Sequence, residues 1–285
     1  MGFVLFTLAF VGLLTVVVRV RRLRVREEIP TRTTLALTAG FVALLLGAWW
    51  IVTAGAHVED RLVNRMILPS PGEVLAAFPK LHFEQALVRS AVISWIRVTE
   101  GFALAAALAV PLGVYMATFQ GVSATFRPLV LIGSYVPIVC FVPLTLAWWG
   151  LSETQKVGFL FIGCFVALLP LVIKSVAGVA SPYLDVAVTK GATQSQLVRH
   201  VLVPVAAADI WDHMRGVYGV GWGWIVLTEM TNSEQGLGHL IDVSNRRSHQ
   251  DAIYAVIIVI VAIAVLCDRL WRWSGRLLFP YKRSA

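Results

Sequence analysis

Charge is scarce in this chain: 14% of its 285 residues are Asp, Glu, Lys or Arg, against 58% hydrophobic residues. With a mean hydropathy of +0.77, that scarcity excludes an ordinary soluble domain and implies an all-α polytopic membrane protein. Cysteine is also sparse. Cys140, Cys164 and Cys267 lie far apart in apolar stretches, without a CxxC or a nearby His, which excludes a metal site and a disulfide framework and leaves packing roles. No GxxxxGK[ST] phosphate loop is present, so energy for any transport comes from another chain or an ion gradient. HExxH, GxSxG and paired Asp-rich motifs are missing too, and the chain reads as non-catalytic, with no metal or cofactor of its own.

What is there is a series of apolar runs, each about long enough to cross a bilayer. They fall at 2–18, 34–54, 91–117, 128–149, 156–180, 213–230 and 252–271. Pro170 and Lys174 interrupt the fifth, whose span is expected to end near Ile173, with the remainder emerging as a helix at the membrane surface. The first run has no Lys or Arg before it, whereas Arg19, Arg21, Arg22, Arg24 and Arg26 follow it, so it reads as a retained anchor with its N-terminus outside. Alternating crossings then put 19–33, 118–127, 174–215 and 269–285 in the cytoplasm. Those segments hold sixteen of the 24 Lys and Arg residues. The positive-inside rule thus accounts for the net charge of +8 without a nucleic-acid partner.

Two polar segments carry local structure signals. In the outer loop, LPSPGEVLAAFPKL offers Ser70 as N-cap, Pro71 at the first helical position and Glu73 to complete a capping box. The spacing predicts an interfacial helix through about Phe78, with Val74, Leu75 and Phe78 apolar. The second segment, DVAVTKGATQSQLVRHVLVP at 185–204, predicts a helical hairpin: a short helix from Asp185 to Lys190, a turn at Gly191 that needs positive φ, and a second helix capped by Thr193 and Gln196 and ended by Pro204. Topology puts this hairpin in the cytoplasm, where a soluble partner can grip it.

The hairpin resembles the cytoplasmic loop of ABC importer permeases, which reads EAA, three residues, Gly, nine residues, Ile, one residue, Leu-Pro. Asp185, Val186 and Ala187, then Gly191, then Val201, Val203 and Pro204 meet that spacing. Four further segments, LPSPGEVLAAF at 68–78, SWIRVTEGF at 94–102, VPIVCFVPLTLAWWGLSE at 136–153 and TEM at 228–230 with GLGHLI at 236–241, are similar to the branch that imports nitrate, sulfonates, taurine and bicarbonate. The resemblance implies a six-span type I permease domain over 34–280, containing the hairpin 185–204. To it are added an extra N-terminal transmembrane helix with its Arg-rich linker (1–33) and a cytoplasmic tail (281–285). It further implies a homodimer in the bacterial inner membrane, two cytoplasmic ATPase subunits that hold ATP and Mg, and an extracytoplasmic solute-binding protein. Asp185, Ala187, Gly191, Val201 and Pro204 would couple the spans to the ATPase. Substrate identity stays open, and an ion-gradient-driven secondary transporter or a membrane scaffold is the alternative.

Several residues in the spans have two readings. Arg97 and Glu100 are expected to pair at i,i+3 spacing, although charge inside a membrane also marks transport paths. Glu229 is either a gate or pathway residue or a helix-end anchor. Trp222 and Trp224 straddle glycines at a depth suited to lining a cavity, whereas Trp148 and Trp149 suit an interfacial belt. Pro137 and Pro143 are candidates for opening a water-filled path, with kinked packing as the alternative. Gly101, Gly113, Gly133 and Gly163 are expected to permit close helix approach.

Overall fold

A computed structural model describes residues 11, 30–55 and 61–281, so most of the first apolar run and its Arg-rich linker lie outside the described residues. Among those described the chain is helical, without a strand. It divides into two compact units, 1–85 with 244–255, and 86–243 with 256–285.

In the first unit, α1 (Thr31–Thr53) buries a single residue, Thr53, and exposes apolar side chains such as Leu46 and Trp50, as expected of a lipid-facing span. The Trp49 indole donates to the Pro69 carbonyl at 2.9 Å, tying α1 to the segment that leads into α2 (Pro71–Gln85). The capping box forms as expected: Ser70 N–H donates to Glu73 at 2.8 Å, and Glu73 N–H donates to Ser70 Oγ at 3.3 Å. Yet α2 continues through Pro79 to Gln85, past the expected end at Phe78. Its inward residues are Val74, Ala77 and Leu81, while Leu75 is exposed. The i, i+3, i+7 spacing of that face explains the length, since Leu81 is reached only if the helix passes Pro79.

The second unit is organised by α3 (Leu87–Thr118), α6 (Glu153–Ala177) and α9 (Val203–Asn232). Gly101, Ala105, Ala109 and Gly113 recur every four residues along α3, and all are buried. A Cβ on Gly101 would stand 2.5 Å from Leu160 Cβ, and one on Gly113 would stand 2.7 Å from Val172, so the small stripe lets α3 and α6 approach closely. Gly133 and Gly163 are similarly crowded, by Val166 and by Trp224. Cys164 and Cys267 are buried packing residues, whereas Cys140 is exposed.

One expectation about the spans changes. The run 128–149 is two helices, α4 (Gln120–Tyr135) and α5 (Phe141–Trp149), joined through a 3₁₀ turn at Ile138–Cys140 and bent by 95°. Along the fifth run α6 passes Pro170 and Lys174 unbroken to Ala177, so the remainder past Ile173 is helical, as expected. And α9, at 30 residues, is long enough to cross a bilayer but less apolar than α1, α3, α6 and α11 (Gln250–Leu278). Those four are the helices among the described residues that are both long and apolar enough, and the bent α4–α5 pair can supply a fifth span.

Candidate functional site

The loop after α6 begins with α7 (Ser181–Thr189), four residues earlier than Asp185, because Pro182 suits a helix start and Ala180 before it is extended. None of its residues is buried. Tyr183, Val186 and Val188 are each more than half exposed, and Asp185 is exposed, while Ala187 is half-buried. Gly191 has φ +80°, as the spacing predicts. Around it Gly191 N–H bonds the Val188 carbonyl at 2.8 Å and Ala192 N–H bonds the Ala187 carbonyl at 3.0 Å, the two bonds of a Schellman ending. Thr193 and Gln196 then form the capping box that opens α8 (Gln194–Leu197). The turn is therefore closed by its own hydrogen bonds and does not depend on a partner for its shape.

Pro204 does not end the second helix. From α8 the backbone continues through a π-helical stretch, Val198–Leu202, directly into α9. Proline has no N–H for the His200 carbonyl and its ring crowds that turn, and a π register, in which Val203 N–H bonds Val198 O, widens the helix enough to pass it. Leu202 is buried and Val201 half-buried on this stretch. The second half of the loop and α9 are therefore one continuous helix.

A second constellation lies between α3, α6 and α9. The Arg97 guanidinium donates to both Glu153 carboxylate oxygens at 2.6 Å, to Glu229 at 2.8 Å and to the Gln235 carbonyl at 2.8 Å. Arg97 and Glu229 are buried, and Glu229 has no exposed surface. The Ser94 hydroxyl lies 2.8 Å from each Glu229 oxygen and accepts from Leu237 N–H at 2.9 Å. Glu229 also accepts from Gly238 N–H at 2.9 Å, so it and Ser94 satisfy the first amides of α10 (Leu237–Arg246). Gly236 before them has φ +121°, and a Cβ there would collide with the Glu229 carboxylate. Such a pair is stable in a low-dielectric setting only because each charge is fully hydrogen-bonded.

This arrangement overturns the expected Arg97–Glu100 pair: Glu100 is exposed, and Arg97 faces acidic groups on two other helices. Glu229 has no basic residue one helical turn away, but Arg97 pairs with it across the packing. The signal available in the sequence was that a lone Arg inside an apolar span needs a partner. Which carboxylate supplies it is a matter of tertiary structure.

Of the other pathway candidates, Pro137 stands at the α4–α5 bend and Pro143 in the first turn of α5, where no intrahelical N–H is required. Trp222 is buried in the packing, and the half-buried Trp224 ring covers Gly163. Trp149 lies over Gly158 and against Trp148, so packing as well as an interface position accounts for it. Among the described residues no group of three or more His, Cys, Asp or Glu is placed to hold a metal.

Residues 109–279 match the family described as binding-protein-dependent transport system inner membrane component. The chain belongs to that family. It is a permease of the ABC importer branch, an integral multi-pass membrane protein. The permease is 33% identical to a putative ABC transporter permease of Methanocaldococcus jannaschii over 70% of this chain and 74% of that one. It is 27% identical to the taurine transport system permease protein of Escherichia coli over 92% and 94% of the two chains. It is 26% identical to a nitrate import permease protein of Synechocystis over 85% and 89%. Among solved structures, a chain of the MetNI methionine ABC transporter in an inward-facing conformation superposes with a TM-score of 0.61 at 17% identity. It covers 68% of the permease and 96% of its own length, a likeness of fold.

Proposed function

We propose that the permease acts as a homodimer with two cytoplasmic ATPase subunits, which hold ATP and Mg, and receives from an extracytoplasmic binding protein a small polar or anionic solute of the nitrate, sulfonate, taurine or bicarbonate kind. The loop from Ser181 to Leu202 is the coupling element. The observation that carries this is the exposed, self-capped α7, whose apolar Tyr183, Val186 and Val188 await a partner while the second half of the loop runs unbroken into α9. Asp185, Ala187 and Gly191 form the docking half, and Val201 and Pro204 the transmitting half. The relatives named for taurine and nitrate support the solute class.

In this reading the loop and C-terminus face the cytoplasm and the N-terminus lies outside, so a tag before Met1 is reached by an impermeant reagent added externally. Glu229 serves as an anchor that holds the turn into α10. The Pro137 bend, with Pro143, Trp222 and Trp224 around it, is the segment of the translocation path that rearranges. Domain limits follow the same scheme: 34–280 is the transport domain, 1–33 an added helix and linker, and 281–285 a tail.

The test is purification of the permease with its associated chains, followed by assay in vesicles. An ATPase chain should co-purify, and solute uptake should require ATP. Gly191→Val forces a β-branched residue to φ +80°, at a local cost of about 1–2 kcal/mol, and should uncouple ATP hydrolysis from uptake or prevent assembly. Uptake by the permease alone down an ion gradient would overturn the scheme in favour of a secondary transporter. The ligand that co-purifies with the binding protein identifies the cargo.

A further inference from the structure

At the C-terminal end of α11 the apolar sequence gives way to Asp268, Arg269, Arg272 and Arg276. There a cavity of about 260 Å³ opens between α9 and α11, lined by Trp211, Arg215, Trp271, Arg272, Arg276 and Phe279. Its charge is unbalanced. Asp268 is shared by Arg215 at 3.5 Å and Arg272 at 2.7 Å, and Asp212 lies 3.9 Å from Arg215, so three guanidiniums face two carboxylates. Each shared guanidinium keeps N–H groups that those carboxylates do not use.

The floor of the cavity is aromatic. Trp211 and Trp271 lie with ring centroids 4.4 Å apart, the Trp211 indole donates to the Trp271 carbonyl at 3.1 Å, and Phe279 closes the other side. Gly275 permits this floor, since a Cβ there would stand 3.0 Å from the Trp211 ring. The cavity opens where the apolar stretch of α11, a helix long and apolar enough to span a bilayer, comes to its end. A lipid whose acyl chains lie beside that span would bring its phosphate to the level of the arginines.

We infer that this cavity binds the phosphate headgroup of an anionic phospholipid at the membrane interface. The excess positive charge disfavours a zwitterionic headgroup, whose ammonium would meet the arginines. With the proposed function's topology, on which this step rests, the end of this apolar span faces the cytoplasm, the leaflet whose anionic lipids attract basic pockets.

The experiment uses the permease as extracted with whatever chains accompany it. Native mass spectrometry reads lipids retained after addition of phosphatidylglycerol, cardiolipin or phosphatidylcholine, or of inorganic phosphate alone. Wild-type protein should retain the anionic lipids in preference to phosphatidylcholine. Arg276→Gln should weaken phosphatidylglycerol retention about fivefold, and Arg272→Gln with Arg276→Gln roughly 25-fold, at about one surface-charge contribution per cation. Arg276→Lys should keep most of it. Arg276 is exposed, so the single substitution leaves a folded protein to measure even if the double one does not. Equal retention of phosphatidylcholine, or anionic-lipid retention unmoved by these substitutions, overturns the assignment. Charge-dependent binding of inorganic phosphate without lipid retention does so as well. Loss of an ATPase chain with lipid retention unchanged would assign the arginines to a protein contact and also overturn it. The lipid readout needs no ATPase partner, so its outcome is separate from that of the coupling scheme.

Discussion

Arg97 and Glu229 are buried, and their partners are spread over α3, α6, α9 and the start of α10; Asp185, Val186 and Gly191 are exposed, and their bonds stay within a few residues of α7 and its turn. Both regions are polar interruptions in an apolar chain, yet they are stabilised by opposite means. In the first, desolvated charges bind separate helices together, and each group depends on distant ones. In the second, local caps hold a shape whose outer face is left for something else. The difference separates a cluster whose members depend on distant helices from a loop that the proposed coupling scheme has gripped and moved as a body.

The comparison breaks most visibly at Arg97. Arg97→Ala leaves Glu229 buried without its counter-ion and should destabilise the fold by about 3–5 kcal/mol, lowering the melting temperature in detergent and the yield of intact protein. An unchanged melting curve would mean that the carboxylate is held by Ser94 and the α10 amides alone. Thr193→Ala removes a cap and should cost about 1 kcal/mol, confined to the loop. Hydrogen exchange should quicken at Gln194–Leu197 while amides of α3 and α6 keep their protection. Equal loosening of both regions would show that the loop is not a separate unit.

The smallest effect concerns pH and the outer segment. Burial raises the Glu73 pKa, but hydrogen bonds from Arg61 and from Ser70, with Arg65 nearby, outweigh it and lower the value from 4.5 to about 2. A depressed carboxylate pKa stabilises the folded state above its unfolded value, and that contribution is lost as pH falls from about 4.5 towards 2. Proteolysis within 68–85 should therefore accelerate across that window in wild-type protein. In Glu73→Gln the same step should be missing, and a step retained there would assign the acid sensitivity to another group.

Much of this was legible along the chain because its causes are local. The capping boxes at Ser70–Glu73 and Thr193–Gln196, the positive φ at Gly191 and the four close-packed glycines each follow from residues within a turn or two, or from the absence of a side chain. The errors arose where a local rule met a tertiary alternative. Pro204 reads as a terminator, but a π turn carries the helix past it. Arg97 lies three residues from Glu100, but its actual partners stand 56 and 132 residues away.

By itself, then, the sequence determined that this is a helical membrane protein with a capped polar loop and the residue spacing of an ABC permease, because hydrophobicity and capping act over one helix at a time. Tertiary structure alone decided that the 128–149 run bends by 95° and that Arg97 joins Glu153 to Glu229. Pairing a buried charge and closing a bend depend on which helices come within hydrogen-bonding distance, and sequence separation carries no record of that.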